Sequence, residues 1–236
     1  MCAVLATVGL MAGCGKDSPE TPETPGTDEP TTPPDKPTEP EVTYKVGDYY
    51  KKGFVTGIVV SVDETGKHGS LISLDELTAA WSYKHEEPMG SVPSMSGRQN
   101  TDAVYEMAGW RENYPGFLWC SNMDVMGLKL WYIPSGVEFT RIYKAYTGLS
   151  PETQPDIDSV HRPMTAGKDA EAQKKWFNDI LAKHGGKPIS DDVYWTSGEL
   201  SKIMANAFDM STGNMLEEPN RLGKEKEYRF RAMSDF

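Results

Sequence analysis

Gly53-Phe54-Val55-Thr56-Gly57-Ile58-Val59-Val60-Ser61-Val62 is the stretch on which the fold turns. Its β-branched residues predict a strand, Asp63 to Gly69 supplies turn residues, and Ser70-Leu71-Ile72-Ser73-Leu74 predicts the second arm of a hairpin. At the other end, Tyr228, Phe230 and Ala232 alternate with Arg229 and Arg231 inside a strand expected over Glu227 to Met233. That period places one face in the core and one in water. Helical spacing occupies the middle of the chain. It covers Thr101 to Trp110, the run Phe139, Ile142, Tyr143, Tyr146 behind a Ser135/Glu138 capping box, and Asp169 to His184. In the last of these Trp176, Phe177, Ile180 and Leu181 are expected inward, with Gly185-Gly186 as the stop. Strands at both ends with helices between them define an α+β class, not a parallel α/β sheet.

The remaining segments read less simply. Ser73 and Glu76 form a second capping-box pattern, predicting a short helix from Leu77 to Trp81. Leu128 to Ile133, closed by Pro134, is expected as a strand. Residues 82 to 99 and 148 to 168 carry turn residues and suggest excursions. Val193 to Ser197 and Lys202 to Met210 are expected strands, the second followed by a Ser211-Thr212-Gly213-Asn214 turn.

Composition excludes whole classes of function. The 236 residues hold 24 Lys+Arg against 35 Asp+Glu, a net charge of -11, and the mean hydropathy is -0.55. An acidic chain gains nothing from releasing phosphate counterions, so no nucleic-acid partner is expected. No apolar run reaches the roughly 20 residues a membrane-spanning helix needs. Gly15 to Thr43 holds 8 of the 17 prolines, and 8 acidic residues against Lys16 and Lys36. Such a segment cannot bury enough surface to offset its ordering entropy, and its prolines favour an extended spacer. The rival reading is a Pro-rich peptide ligand of an SH3-type module, and the spacer is the stronger of the two.

The first fourteen residues read as an address. Met1 to Gly13 is small or apolar and ends in Leu10-Met11-Ala12-Gly13-Cys14, which resembles a bacterial lipobox. The resemblance implies cleavage before Cys14 and acylation of its thiol, so the membrane partner is reached through the lipid anchor only. Two or more acyl chains hold stably, at about 0.8 kcal/mol per buried methylene. Met1-Cys2-Ala3 lacks the basic residue that opens a signal peptide, which leaves open a start upstream of Met1. The expected organisation is a signal peptide over 1–13, anchor and stalk over 14–43, and one folded domain over 44–236. Cys120 would be the one remaining thiol, and no intrachain disulfide is expected.

Gly57-Ile58-Val59-Val60, Gly66-Lys67-His68-Gly69-Ser70-Leu71-Ile72-Ser73-Leu74-Asp75-Glu76, Trp81-Ser82, Asn100-Thr101, Tyr114-Pro115, Trp119-Cys120, Trp131-Tyr132-Ile133-Pro134-Ser135, Tyr194-Trp195-Thr196-Ser197 and Tyr228-Arg229-Phe230-Arg231-Ala232 together resemble a bacterial family. It is the group of Bacteroides-type lipoprotein and fimbrial or adhesin-associated domains with a C-type-lectin-like fold. The resemblance spans nearly all of residues 45 to 236. It implies paired terminal strands, two to three flanking helices and long loops on one side. Formylglycine-generating enzymes share that fold class and resemble the chain around Trp131 to Ser135. Their chemistry needs a late cysteine pair, and nothing after Cys120 is a cysteine.

No residue pattern spells a reaction. GxSxG, P-loop and GxGxxG motifs are absent from the sequence. His68, His85, His161 and His184 have no metal-ligand spacing. Asp191-Asp192 and Glu217-Glu218 are expected to be solvated pairs, and Cys120 a small core residue. Trp131, Tyr132 and Trp195 could stack on a sugar, but in strand contexts they are expected in the core. Glu218-Pro219-Asn220 and Gln154-Pro155-Asp156 resemble the calcium and sugar ligands of lectins. The companion Trp-Asn-Asp is missing, so neither a metal nor a cofactor is expected. The reading is therefore a non-catalytic envelope module recognising a glycan or protein, or else a structural or tip component contacting fimbrial subunits. Thr196, Ser197 and Glu199, in a loop after Trp195, and Asp209, Glu218, Asn220 and Arg221 are the expected contacts.

Overall fold

The computed structural model describes residues 42–85, 96–150 and 159–236. The leader, Cys14, most of the stalk and Gln154-Pro155-Asp156 lie outside them. In chain order the strands are β1 (Tyr49–Lys52), β2 (Val55–Val62), β3 (Gly69–Ser73), β4 (Leu77–Ala80), β5 (Val193–Glu199), β6 (Ala205–Asp209), β7 (Asn214–Met215), β8 (Glu227–Phe230) and β9 (Met233–Asp235). The helices are α1 (Gly97–Tyr105), α2 (Trp110–Asn113), α3 (Pro115–Ser121), α4 (Gly136–Thr147) and α5 (Ala170–Lys183). Two sheets result, ordered β1-β2-β3-β9 and β4-β8-β5-β6-β7. The class is α+β.

The hairpin of β2 and β3 forms where expected, but its first arm starts later. Gly53, at φ 58°, and exposed Phe54 turn the chain back onto β1, which pairs Lys52 with Val55. The expected pairing of the first and last strands is not what forms: β9 pairs with β3, and β1 and β9 are opposite edges of one sheet. The centres of both sheets are buried on both faces, whereas Lys51 and Lys52 on β1 and Thr78 on β4 are exposed. Trp195 packs with Trp81, Phe117 and Phe230 on one side, and its neighbour Tyr194 packs with Phe139, Phe208 and Ile72 on the other. Val59 and Ile58 divide in the same way, as the two-residue period requires.

The capping box at the start of α4 is present: Ser135 Oγ accepts from Glu138 N at 3.3 Å and Glu138 Oε2 accepts from Ser135 N at 2.7 Å. The same carboxylate oxygen also accepts from Gly97 N at 3.0 Å, so one side chain starts two helices. Behind it Phe139, Ile142, Tyr143 and Tyr146 are all buried. In α5, Phe177 and Leu181 are buried, whereas Trp176 is 42% exposed and lies over Gly47.

Four expectations fail for physical reasons. The second capping box does not form: Leu77 to Ala80 is a strand against β8, and Glu76 is drawn into a buried ion pair instead of a helix cap. The helix expected over Thr101 to Trp110 runs from Gly97 to Tyr105, and Trp110 opens a separate short turn of helix. The strand over Leu128 to Ile133 reduces to one bridge between Tyr132 and Met233. Asp124 Oδ1 takes the Leu130 and Trp131 N–H groups at 2.6 and 3.0 Å, which removes the donors a ladder would use. The last strand is cut in two, β8 and β9 lying in different sheets, and Arg231 at the break is 1% exposed instead of wet.

Candidate functional site

Thr196 and Ser197 lie within β5 and Glu199 ends it, each with no exposed surface, and not in a loop. The correction follows from topology: β5 is the middle strand of its sheet, so its polar side chains must find partners inside the protein. Thr196 Oγ1 donates to the Asn206 carbonyl at 3.0 Å, and the Thr196 carbonyl accepts from Trp81 Nε1 at 2.9 Å. Ser197 Oγ accepts from Asn100 Nδ2 at 3.0 Å, binding α1 to the strand. Glu199 forms a fully buried ion pair with Lys224, whose ammonium lies 4.8 Å from the centre of the Trp81 ring. These three residues hold the sheet and present nothing to a ligand.

Asp209, Glu218 and Arg221 do come together at the surface. Arg221 reaches Asp209 Oδ2 at 3.5 Å and Glu218 Oε2 at 3.7 Å, and Tyr228 Oη donates to the Arg221 carbonyl at 2.9 Å. Asp209 Oδ1 also accepts from the Ser211 amide at 2.9 Å and the Ser211 hydroxyl at 2.5 Å. Asn220 is exposed on the 3-10 turn between them. Pairs this open to water contribute at most about 1 kcal/mol each, so the cluster can exchange its internal contacts for those of a partner. Among the described residues, no three His, Cys, Asp or Glu side chains are grouped to hold a metal ion.

A larger polar assembly went unforeseen. Glu76 Oε2 accepts from Arg231 at 2.6 Å and from Tyr194 Oη at 3.1 Å, while its other oxygen pairs with Arg229. Arg229 Nε donates in turn to Asp192 Oδ2 at 2.8 Å, and that bond holds the Asp192 carboxyl below its usual range. Asp192 is thus a network member and not simply a solvated turn residue. Burial, reinforced by the Glu76 charge, pushes the Tyr194 phenol up. The signal was present in the alternation of Arg229 and Arg231 with Tyr228 and Phe230; the missing fact was that Arg231 falls at the break between the sheets, where it is buried, while Arg229 stays a third exposed.

Among the other candidates, Cys120 is fully buried, and burial raises its thiol well above the ordinary range. Trp131, Tyr132 and Trp195 are core residues at 4%, 2% and 0% exposure. His184 stacks on Tyr49 at 3.9 Å, and His161 Nδ1 lies 3.5 Å from Glu217. Among the described residues no helix is long and apolar enough to cross a membrane.

Among the described residues the architecture is that of an α+β fold with two sheets and five α-helices. It is similar to the crystal structure of a fimbrial protein from Bacteroides ovatus, with a TM-score of 0.51 and 16% identity over 82% of this chain and 49% of that one. The chain therefore spans about half the length of that protein, and the likeness is one of fold. The expected fimbrial or adhesin-associated relative is found at that level. No protein-family model matches the chain, and no curated protein matches it.

Proposed function

We propose that this protein is a non-catalytic component of a bacterial cell envelope that takes part in a fimbrial assembly as a structural or tip subunit. The observation that supports this reading is the fold likeness to a fimbrial protein across most of the chain. In this reading Cys14 carries the acyl chains of an outer-membrane lipoprotein, and the Pro-rich segment from Gly15 to Thr43 spaces a C-type-lectin-like domain from the bilayer. Chemical cross-linking in intact envelopes should join the chain to fimbrial subunits. A fatty-acid label should enter it and be lost in Cys14→Ala. A chain recovered unlinked and unlabelled from envelopes that carry assembled fimbriae rules the reading out.

A second reading, a module that recognises a glycan or protein, is favoured by exposed Glu218 and Asn220 beside half-buried Asp209 and Arg221. Loss of envelope partners on combined alanine substitution of these four, with thermal stability kept, would separate it from the first.

A further inference from the structure

A cleft of about 400 Å³ is bordered by Tyr105, Trp110, Arg111, Asn122, Asp124 and Lys129. We propose that it is a binding site for a neutral carbohydrate, independent of the Asp209 cluster and of the fimbrial reading. Its volume falls in the roughly 300–1,000 Å³ range of small-ligand sites.

The aromatic part comes first. The Tyr105 and Trp110 rings lie 4.5 Å apart at 37°, so each covers part of the other, and Trp110 is 7% exposed with Arg111 over it. Each carries a cation: the Arg111 guanidinium sits 4.4 Å over Trp110, and the Lys129 ammonium 5.8 Å over Tyr105. Lys129 is also held by Asp102 at 3.1 Å, while exposed Arg111 has no salt bridge among the described residues. An exposed cation over a ring contributes only about 0.5–1 kcal/mol, so Arg111 can move off Trp110 and bare an indole face for the C–H side of a sugar ring. The displaced guanidinium, with Asn122 and Glu106, then offers planar polar groups to ring hydroxyls.

Charge selects the class. Arg111 and Lys129 are matched by Glu106 and Asp124 in the same lining, so the cleft has no excess charge to attract phosphate or carboxylate. Its wall is already shaped. Met126 and Lys129 adopt φ of 58° and 48°, strained for residues with a side chain, and Gly127 between them is at 71°. The strain is maintained by Asp124 accepting two amides of the same loop and by Arg98 donating to the Lys129 carbonyl at 2.6 Å. A loop pinned in a costly shape removes an ordering cost that binding would otherwise meet.

The test uses the full-length chain in detergent with four neutral trisaccharides, built of glucose, mannose, galactose or N-acetylglucosamine, and trigalacturonate as the anionic comparator. Saturation-transfer NMR and tryptophan fluorescence report binding. At least one neutral sugar should bind with a Kd of about 1 mM or tighter. Arg111→Ala and Asn122→Ala, both at exposed positions, should each weaken it roughly tenfold, and Trp110→Phe should reduce the fluorescence response. Binding of the anionic sugar alone, silence toward all four neutral sugars, or affinity unchanged in both alanine variants overturns the proposal. Since none of these readouts involves fimbriae, the outcome stands whether or not the chain proves to be a fimbrial component.

Discussion

Arg231 donates to Glu76 Oε2 at 2.6 Å at the one place where the chain passes twice between the two sheets. Leu74 to Glu76 carries it from β3 to β4, and Arg231 with Ala232 carries it from β8 to β9. The guanidinium also donates to the carbonyls of Ser73 at 3.0 Å, Leu74 at 3.1 Å, Lys187 at 3.1 Å and Pro188 at 3.3 Å. One side chain therefore satisfies carbonyls that crossing strands leave without ladder partners.

Arg231→Met should cost about 3–5 kcal/mol in urea unfolding, because it removes the buried partner of Glu76, leaving only Tyr194 and partly exposed Arg229, and leaves several buried carbonyls without a donor. Arg231→Lys should recover little, since a single ammonium cannot span the same acceptors. A loss below about 1 kcal/mol in either variant contradicts the role assigned to this crossing.

The Lys224 and Glu199 pair and the Arg221 cluster make a paired comparison. Lys224→Met leaves Glu199 buried without its ammonium and should cost about 3–5 kcal/mol, whereas Arg221→Ala should cost less than about 1 kcal/mol. Equal losses in the two variants would show that burial is not what separates them.

Gly116 packs against the Phe230 ring so closely that a Cβ would overlap it. Gly116→Ala should therefore lower stability by about 1–3 kcal/mol in thermal unfolding, even though alanine favours helix by about 1 kcal/mol elsewhere. A stabilised variant would mean that α3 can shift away from β8 freely.

Stability should respond to acid with two opposite signs. Asp192 has a lowered carboxyl because Arg229 bonds it, so its contribution is present above the unfolded Asp value of about 3.9 and disappears as pH falls through the folded value. Burial raises Glu138 despite its amide donors, so its contribution is full below the unfolded value and is lost as pH rises through the folded one. Urea unfolding from pH 3 to 7 should show Asp192→Asn flattening the acid limb, and Glu138→Gln growing more stable relative to the parent as pH rises. The reverse slopes would refute these assignments.

Much of the framework was legible because it rests on local rules. The β2–β3 hairpin, the Ser135/Glu138 box and the buried stripe of α4 need only neighbours within a few residues. Glu76 shows where such rules stop. Its spacing from Ser73 matches a helix cap, yet Arg231, 155 positions away, competes for the carboxylate and wins because a buried charge must be paired. Thr196, Ser197 and Glu199 looked like a polar loop for the same reason, since nothing local says that strands lie on both sides of β5. The cleft beside Trp110 was equally invisible, being assembled from α1, α2 and the 122–130 loop.

The amino-acid order alone settled the α+β class, the acidic Pro-rich segment, the hairpin and the positions of α4 and α5, because periodicity and capping act over one or two turns. Tertiary structure alone decided which polar residues are buried, where the last strand breaks between sheets, and which aromatic rings face solvent. Those outcomes depend on which segments cover one another, and desolvation energy is set by that cover, not by sequence neighbours.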